Sequence, residues 1–173
     1  MDIKTVTKDD LQKVTNLFEQ HWNDREIKFI RKQLSNYIRN SSNKIFVLKE
    51  EDIIMGLVNL SHSASDLVEI KDLIVKREFR NYGYGAKLLQ HIIEYSKNND
   101  VRKLFVLTNP NLRDAYLDYG FVLEGYLKNH FVDNEDLILM SLFLPREKQI
   151  DLGKKLEDIK EIEEVERKTT EGL

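Results

Sequence analysis

Apolar residues along this chain recur with two periods, and each change of period marks a change of element. Leu11, Val14, Leu17 and Phe18 fall three or four apart, the spacing of a helix with one buried face. Ile3 and Val6 ahead of them form a short strand, and Thr7-Lys8-Asp9-Asp10 is a capping-box-like start with Thr7 as N-cap. A second helical stretch runs from roughly Arg25 to Arg39, with Ile27, Ile30, Leu34 and Ile38 on one face, and Ser41-Ser42-Asn43 breaks it. The period then shortens. Ile45 to Leu48 and Ile53 to Leu60 read as strands of a hairpin turned at Glu50-Glu51-Asp52, and Ser61-His62-Ser63-Ala64-Ser65 reads as a polar loop. Leu67 to Val75 is a strand rich in β-branched residues, after which Leu88, Leu89, Ile92, Ile93 and Tyr95 restore helical spacing. Val101 to Leu107 is another strand. A short helix opens at Asn109-Pro110-Asn111 and ends near Gly120, and Phe121 to Leu127 and Leu137 to Leu144 are the last two strands.

The order is strand, two helices, three strands, helix, strand, helix, two strands. That is an α+β arrangement on a mixed sheet of about seven strands with about four helices, not the regular alternation of a doubly wound fold. No internal repeat is visible. Pro145 closes the domain, which spans 1–145. In the remaining stretch, 146–173, Leu152, Leu156, Ile159, Ile162 and Val165 line one side of a charged helix interrupted by Gly153. It reads either as a solvated helix at the chain end or as the seam of a homodimer.

Composition narrows the classes. A chain of 173 residues suits one domain with its own core, and 41% hydrophobic with 33% charged residues describes a folded, well-solvated protein. A net charge of -3 argues against a general nucleic-acid binder. The absence of cysteine excludes disulfides, thiolate metal sites and cysteine catalysis, and four scattered histidines show no metal-ligand spacing. No apolar run approaches membrane-spanning length and the start lacks a signal-peptide core, so a cytoplasmic protein without membrane or nucleic-acid partners is expected.

The chemistry begins where the strand ending at Val75 meets the helix containing Leu88. Between them lies Arg80-Asn81-Tyr82-Gly83-Tyr84-Gly85-Ala86. Two glycines permit backbone conformations closed to other residues and a close approach to a ligand. The free N–H groups of the first helical turn, with the positive end of the helix dipole, favour an anion, and Arg80 adds a charge suited to phosphate. This is a phosphate or pyrophosphate cradle. A P-loop needs Gly-Lys-Ser/Thr, and Ala86 follows Gly85; the dinucleotide fingerprint needs a third glycine, and Leu88 stands there.

The stretch resembles instead the Arg/Gln-x-x-Gly-x-Gly/Ala signature of the GNAT N-acetyltransferase superfamily, with Leu73 and Val75 just before it. A second signature of that family is similar to Asn109 through Phe121, with Asn109, Tyr116, Gly120 and Phe121 at matching positions and Leu112 where an alanine is common. The resemblance covers roughly Met1 to Leu144 and implies the GNAT fold, acetyl-CoA as co-substrate without a metal, and direct attack by an amine within one ternary complex. It implies that the backbone at Leu73, Ile74 and Val75 holds the pantetheine arm and polarises the thioester, that Arg80, Asn81, Tyr82, Gly83, Tyr84, Gly85 and Ala86 carry the pyrophosphate, and that Asn109 holds the cofactor on the far side of the cleft. Tyr116 is the expected donor to the departing thiolate; its neighbour Tyr119 fits a core aromatic better.

The candidate base is Glu69, with Asp72 in reserve or a water relay in place of either. Simple alternation puts Glu69 and Lys71 on the face of Leu73 and Val75 and Asp72 on the other, and a bulge would exchange these faces. Glu69, Asp72, Glu124, Asp133, Glu135 and Asp136 near the cleft would attract a cationic amine, whether a polyamine, an amino acid or a protein N-terminus. His62 and His130 border the expected cleft and read as surface histidines. The competing class is a non-catalytic acyl-CoA sensor.

Overall fold

The computed structural model describes residues 1–21, 43–130 and 135–145. The helical stretch expected over 25–39, Phe131 and Asp133 of the last connection, and the segment 146–173 lie outside the described residues. Seven strands form one sheet: β1 Asp2–Thr5, β2 Asn43–Glu50, β3 Ile53–Ala64, β4 Leu67–Val75, β5 Lys103–Thr108, β6 Val122–Leu127 and β7 Leu137–Phe143. Their spatial order is β1-β2-β3-β4-β5-β7-β6. Every neighbouring pair is antiparallel except β4 and β5. A parallel pair needs a crossover, and the helix α2, Tyr84–Asn98, supplies it. The helix α1, Leu11–His21, precedes β2, and a short helix α3, Arg113–Leu117, follows β5.

The helical periodicities bury what they predict. Leu88, Leu89 and Ile92 of α2 pack on one sheet face with Val58, Leu60, Val68, Ile70, Leu104 and Met140. Val14, Leu17 and Phe18 of α1 pack on the opposite face with Ile45, Val47, Leu57 and Ile74. Each such side chain contributes about 1.5–3 kcal/mol by leaving water.

Three details depart from the sequence reading. β3 continues through Ala64, so Ser61 to Ala64 is strand rather than loop, and His62 lies opposite Val68 in it. Pairing with β4 keeps these polar residues extended. The start of α1 also moves. The carbonyl of Asp10 accepts the first helical bond from Val14 N–H at 2.9 Å, so the regular helix begins after a turn over Thr7 to Asp10. The Asp10 carboxylate reaches back to accept from Thr7 N–H at 3.0 Å and from Thr7 Oγ1 at 2.8 Å, and it pairs with Lys49 Nζ at 2.8 Å.

The third departure shapes the site. Asn59 pairs with Asp72 and Leu60 with Ile70, so Lys71 is an extra residue in β4. Val68 and Ile70 face the α2 core before it, and Leu73 and Val75 face that core after it. Glu69, Asp72 and Ile74 therefore share the α1 face. The simple alternation, with Glu69 on the side of Leu73 and Val75, is corrected by this bulge.

Burial works to raise the Asp10 carboxyl, but hydrogen bonds from Lys49 and Thr7 outweigh it and hold its pKa below the usual 3.8. A depressed native pKa gives stability that is present above the unfolded value and lost as pH falls through the native one. Asp10→Asn, which weakens the charged contacts with Lys49 and Thr7, therefore lowers stability by about 1–2 kcal/mol at neutral pH. In thermal melts the gap from wild type narrows as pH drops below about 4; a gap that ignores pH would show that the charge contributes nothing.

Candidate functional site

β4 and β5 pair from Leu67↔Lys103 to Ile70↔Val106 and no further. Beyond that point β4 stays with β3 as far as Val75↔Gly56, while β5 stays with β7 as far as Thr108↔Ile138. The two strands part at the Lys71 bulge. Among the described residues, the β5-side edge of β4 over 71–75 has no strand partner, so an extended ligand can hydrogen-bond there as an added strand would. Because the strands are parallel, their carboxyl ends lie at one edge, and α2 and α3 both start from it, the place where open mixed sheets receive ligands.

The chain from Val75 to α2 is a curled run of main chain. Arg77–Phe79 forms a 3-10 turn, and Arg80 Nε donates to Val75 O at 3.2 Å, folding the guanidinium back on the strand end. Asn81 and Gly83 both take left-handed conformations, with φ of 68° and 78°. Gly83 is the N-cap of α2 and no side chain caps the helix, so the first-turn N–H groups at Tyr84, Gly85 and Ala86 face outward at the positive end of its dipole. The two glycines differ. A Cβ at Gly83 would meet nothing within 4 Å, so conformation alone requires glycine there. A Cβ at Gly85 would meet Leu73 Cδ2 at 3.6 Å and Val75 Cγ2 at 3.8 Å, ordinary contact distances, so the packing of α2 on β4 leaves room for a small side chain there. The open space before Gly83 and the uncapped turn fit a diphosphate. Tyr82 is 69% exposed beside this turn, and its ring stacks on Tyr84 at 6.1 Å between centroids.

Across the parting, α3 carries Tyr116. The spacing Tyr116-x-x-x-Gly120-Phe121 is that of a helix end. Gly120 takes φ 83°, its N–H donates to Leu117 O at 2.9 Å, and Phe121 N–H donates to Tyr116 O at 3.2 Å. These are the two bonds of a Schellman closure, and the accompanying apolar contact is Tyr116 against Phe121, edge to face at 5.2 Å. Tyr116 is thereby buried, while Tyr119 is half-buried at the core's margin, the reverse of the sequence reading. The Tyr116 hydroxyl hydrogen-bonds Thr108, the last residue of β5; burial outweighs that bond and pushes its pKa to about 12. Asn109 caps the turn before α3, its Oδ1 accepting from Asn111 N–H at 2.9 Å.

The carboxylates divide. Glu69 pairs with Lys71 at 2.7 Å. Glu124 is held by Lys103 and Ser141, which keep its pKa below the usual value. Asp136 accepts from the Tyr126 hydroxyl and from Asn129 N–H. Asp72 accepts from Asn59 Nδ2 at 2.8 Å. His62 is half-buried, and burial together with the Lys44 charge lowers its pKa. His130 is exposed, with its backbone N–H on Glu135 O. Sequence reasoning missed two residues, Asn59 and Thr108. The available signals were an amide inside the apolar run Ile53 to Leu60 and a hydroxyl closing the strand before Asn109.

Among the described residues no group of three or more His, Cys, Asp or Glu could hold a metal ion, and no helix is long and apolar enough to cross a membrane. Comparison with known proteins agrees with the geometry. A Bacillus subtilis (strain 168) protein, named as a candidate ribosomal protein bS18-alanine N-acetyltransferase, is 29% identical over 79 residues, 43% of this chain and 52% of the relative. The chain thus spans about half the length of that curated relative. A GNAT acetyltransferase from Elizabethkingia anophelis, solved with acetyl-CoA bound, superposes with a TM-score of 0.63 at 24% identity over 83% of this chain and 97% of its own. The spermidine/spermine N-acetyltransferase of Vibrio cholerae, solved with manganese ions, superposes at 0.69 with 20% identity over 82% and 91%. The family described as the acetyltransferase (GNAT) domain matches residues 8–134, and the chain belongs to it.

Proposed function

We propose that this protein transfers the acetyl group of acetyl-CoA to a primary amine. One observation carries the reading: the unpartnered edge of β4 runs into an uncapped helix N-terminus, with a buried tyrosine hydroxyl at the end of β5 across the parting. Backbone groups at Leu73, Ile74 and Val75 would hold the pantetheine arm, and the N–H groups from Arg80 to Ala86 the pyrophosphate. N–H donors aimed at the thioester oxygen stabilise its developing charge, at about 3–4 kcal/mol per donor. A thiol has a pKa near ~8.5, so full proton transfer from a phenol at about 12 is uphill by about 5 kcal/mol. Tyr116 therefore acts by donating a hydrogen bond to the leaving thiolate. The carboxylates of β4, Glu69 and Asp72, lie on the acceptor side. Two relatives are named for spermidine/spermine and for a ribosomal-protein alanine, both primary amines, and they support the same acceptor class here. The test is release of free CoA from acetyl-CoA over a panel of polyamines, amino acids and peptides; binding of acetyl-CoA with no release on any amine would refute the reading.

Tyr116→Phe keeps the ring contact with Phe121 and loses the donor. Its kcat falls about 100-fold, while acetyl-CoA affinity by calorimetry stays close to wild type. Unchanged turnover would remove Tyr116 from the chemistry.

The cradle separates the glycines. Gly83→Ala forces an alanine into a left-handed conformation, costs about 1–2 kcal/mol in thermal melts and weakens acetyl-CoA binding. Gly85→Ala places its Cβ at ordinary contact distance and changes stability by less than about 0.5 kcal/mol. Equal losses in both would show that conformation is not what Gly83 supplies.

A further inference from the structure

β6 closes one side of the sheet, and among the described residues it pairs with β7 alone. Its outer edge is a row of unpaired main-chain groups, which a sheet ordinarily guards with lysine, proline or a covering element. β6 reads Val122-Leu123-Glu124-Gly125-Tyr126-Leu127 and carries neither lysine nor proline. Val122, Leu123 and Tyr126 are 47%, 48% and 59% exposed. The single charge of the strand, Glu124, is turned inward onto Lys103 and Ser141. The register against β7 decides the faces, because directly opposed residues share one. Leu123 and Tyr126 pair with Met140 and Ile138, which face the α2 core. Val122, Gly125 and Leu127 pair with Ser141, Leu139 and Leu137 on the α1 side. Between Leu123 and Gly125 the register shifts, and Glu124, bonded to Ser141, falls on the same face as Gly125.

We propose that the outer edge of β6 seats a second copy of this chain, paired antiparallel about a two-fold axis perpendicular to the sheet, so that two seven-stranded sheets run on as one. The strand is complementary to itself. With the axis between Glu124 and Gly125, Val122 stands opposite the partner's Leu127, and Leu123 opposite the partner's Tyr126. Both pairs join like faces, the first on the α1 side and the second on the α2 side. A regular strand folded on its own copy about such a midpoint would oppose unlike faces, since its side chains alternate. The register shift removes that conflict, and sliding the copies by one or two residues restores it. At the axis each Glu124 meets the partner's Gly125, which has no side chain to collide with it. Lys103 of the same chain offsets the Glu124 charge, so the two copies bring no bare like charges together. A regular strand from another protein would match faces on one side of the shift and mismatch them on the other. The surface is independent of the chemistry proposed above.

The full-length chain has no cysteine, so introduced thiols report the register. Leu123→Cys and Tyr126→Cys made together place two thiols about 10 Å apart along one strand, too far to bridge within it, and directly opposite each other across the axis. Mild oxidation of this double variant gives a covalent dimer on non-reducing gels. Neither single variant gives one, because each thiol then faces a residue without sulfur. In sedimentation the wild-type chain runs at twice 20.5 kDa. Leu123→Lys, at an exposed edge position, runs at 20.5 kDa with the circular dichroism of wild type. A wild-type chain that stays monomeric up to about 100 μM overturns the proposal. So does a dimer that Leu123→Lys leaves intact, and so does a double variant that oxidation leaves uncross-linked. Cross-linking by Leu123→Cys alone refutes the pairing with Tyr126. The stripe of Leu152, Leu156 and Ile159 is the competing seam. A dimer abolished by Leu156→Lys and untouched by Leu123→Lys belongs to that stripe and not to β6.

Discussion

One extra residue in one strand governs the rest of the molecule. Lys71 has no counterpart in β3, so β4 bends at that point, and its parallel pairing with β5 stops at Ile70↔Val106. An unpaired strand edge is ordinarily a liability. Here it lies inside the sheet, flanked by the starts of two helices, where an extended ligand's amides can pair with it. The same residue sets the faces. Without it Leu73 and Val75 would turn toward α1 and lose their packing on the α2 side, and Asp72 would enter the apolar core around Leu88. The opening and the sidedness of the strand thus have a single cause.

The two lips of the opening are built from different materials. The lip proposed for the cofactor is main chain: an unpaired strand edge, a left-handed Gly83 and an uncapped α2. Main-chain recognition constrains sequence only where conformation or close approach demands it, which is why two glycines and an arginine suffice to mark it. The lip proposed for the acceptor is side chain: Glu69 and Asp72 of β4 on the α1 face. Side chains there can be exchanged without disturbing the backbone, so one fold can take acceptors as different as polyamines and protein termini.

What was legible in the sequence follows this division. The helical faces of α1 and α2, the β2–β3 hairpin and the Tyr116-x-x-x-Gly120-Phe121 closure are local patterns, fixed by spacing within a dozen residues. The bulge is not local. It exists only as a mismatch of register between β3 and β4, and nothing within Leu67 to Val75 announces it. Ser61 to Ala64 is polar yet extended because β4 pairs with it. The Asp10 carboxylate that reaches back to Thr7 is also held by Lys49, thirty-nine positions away, a partner no local pattern names. Asn59 was hidden for the same reason: its partner lies thirteen positions on, across a strand pair.

Tyr116 shows how packing decides chemistry. The helix closure at Gly120 and the ring of Phe121 hold its ring, and its hydroxyl hydrogen-bonds Thr108. Burial that raises its pKa to about 12 makes it a poorer acid, which would defeat a residue required to give up its proton. A coenzyme A thiolate makes no such demand, since it is a weak base that leaves readily once its charge is met. What it needs is a donor already in place, in surroundings of low dielectric where a hydrogen bond is stronger than in water. In the acetyl-transfer reading, the same burial that weakens the acid fixes the donor and strengthens the bond, so the core position of Tyr116 and the role proposed for it are one requirement rather than two.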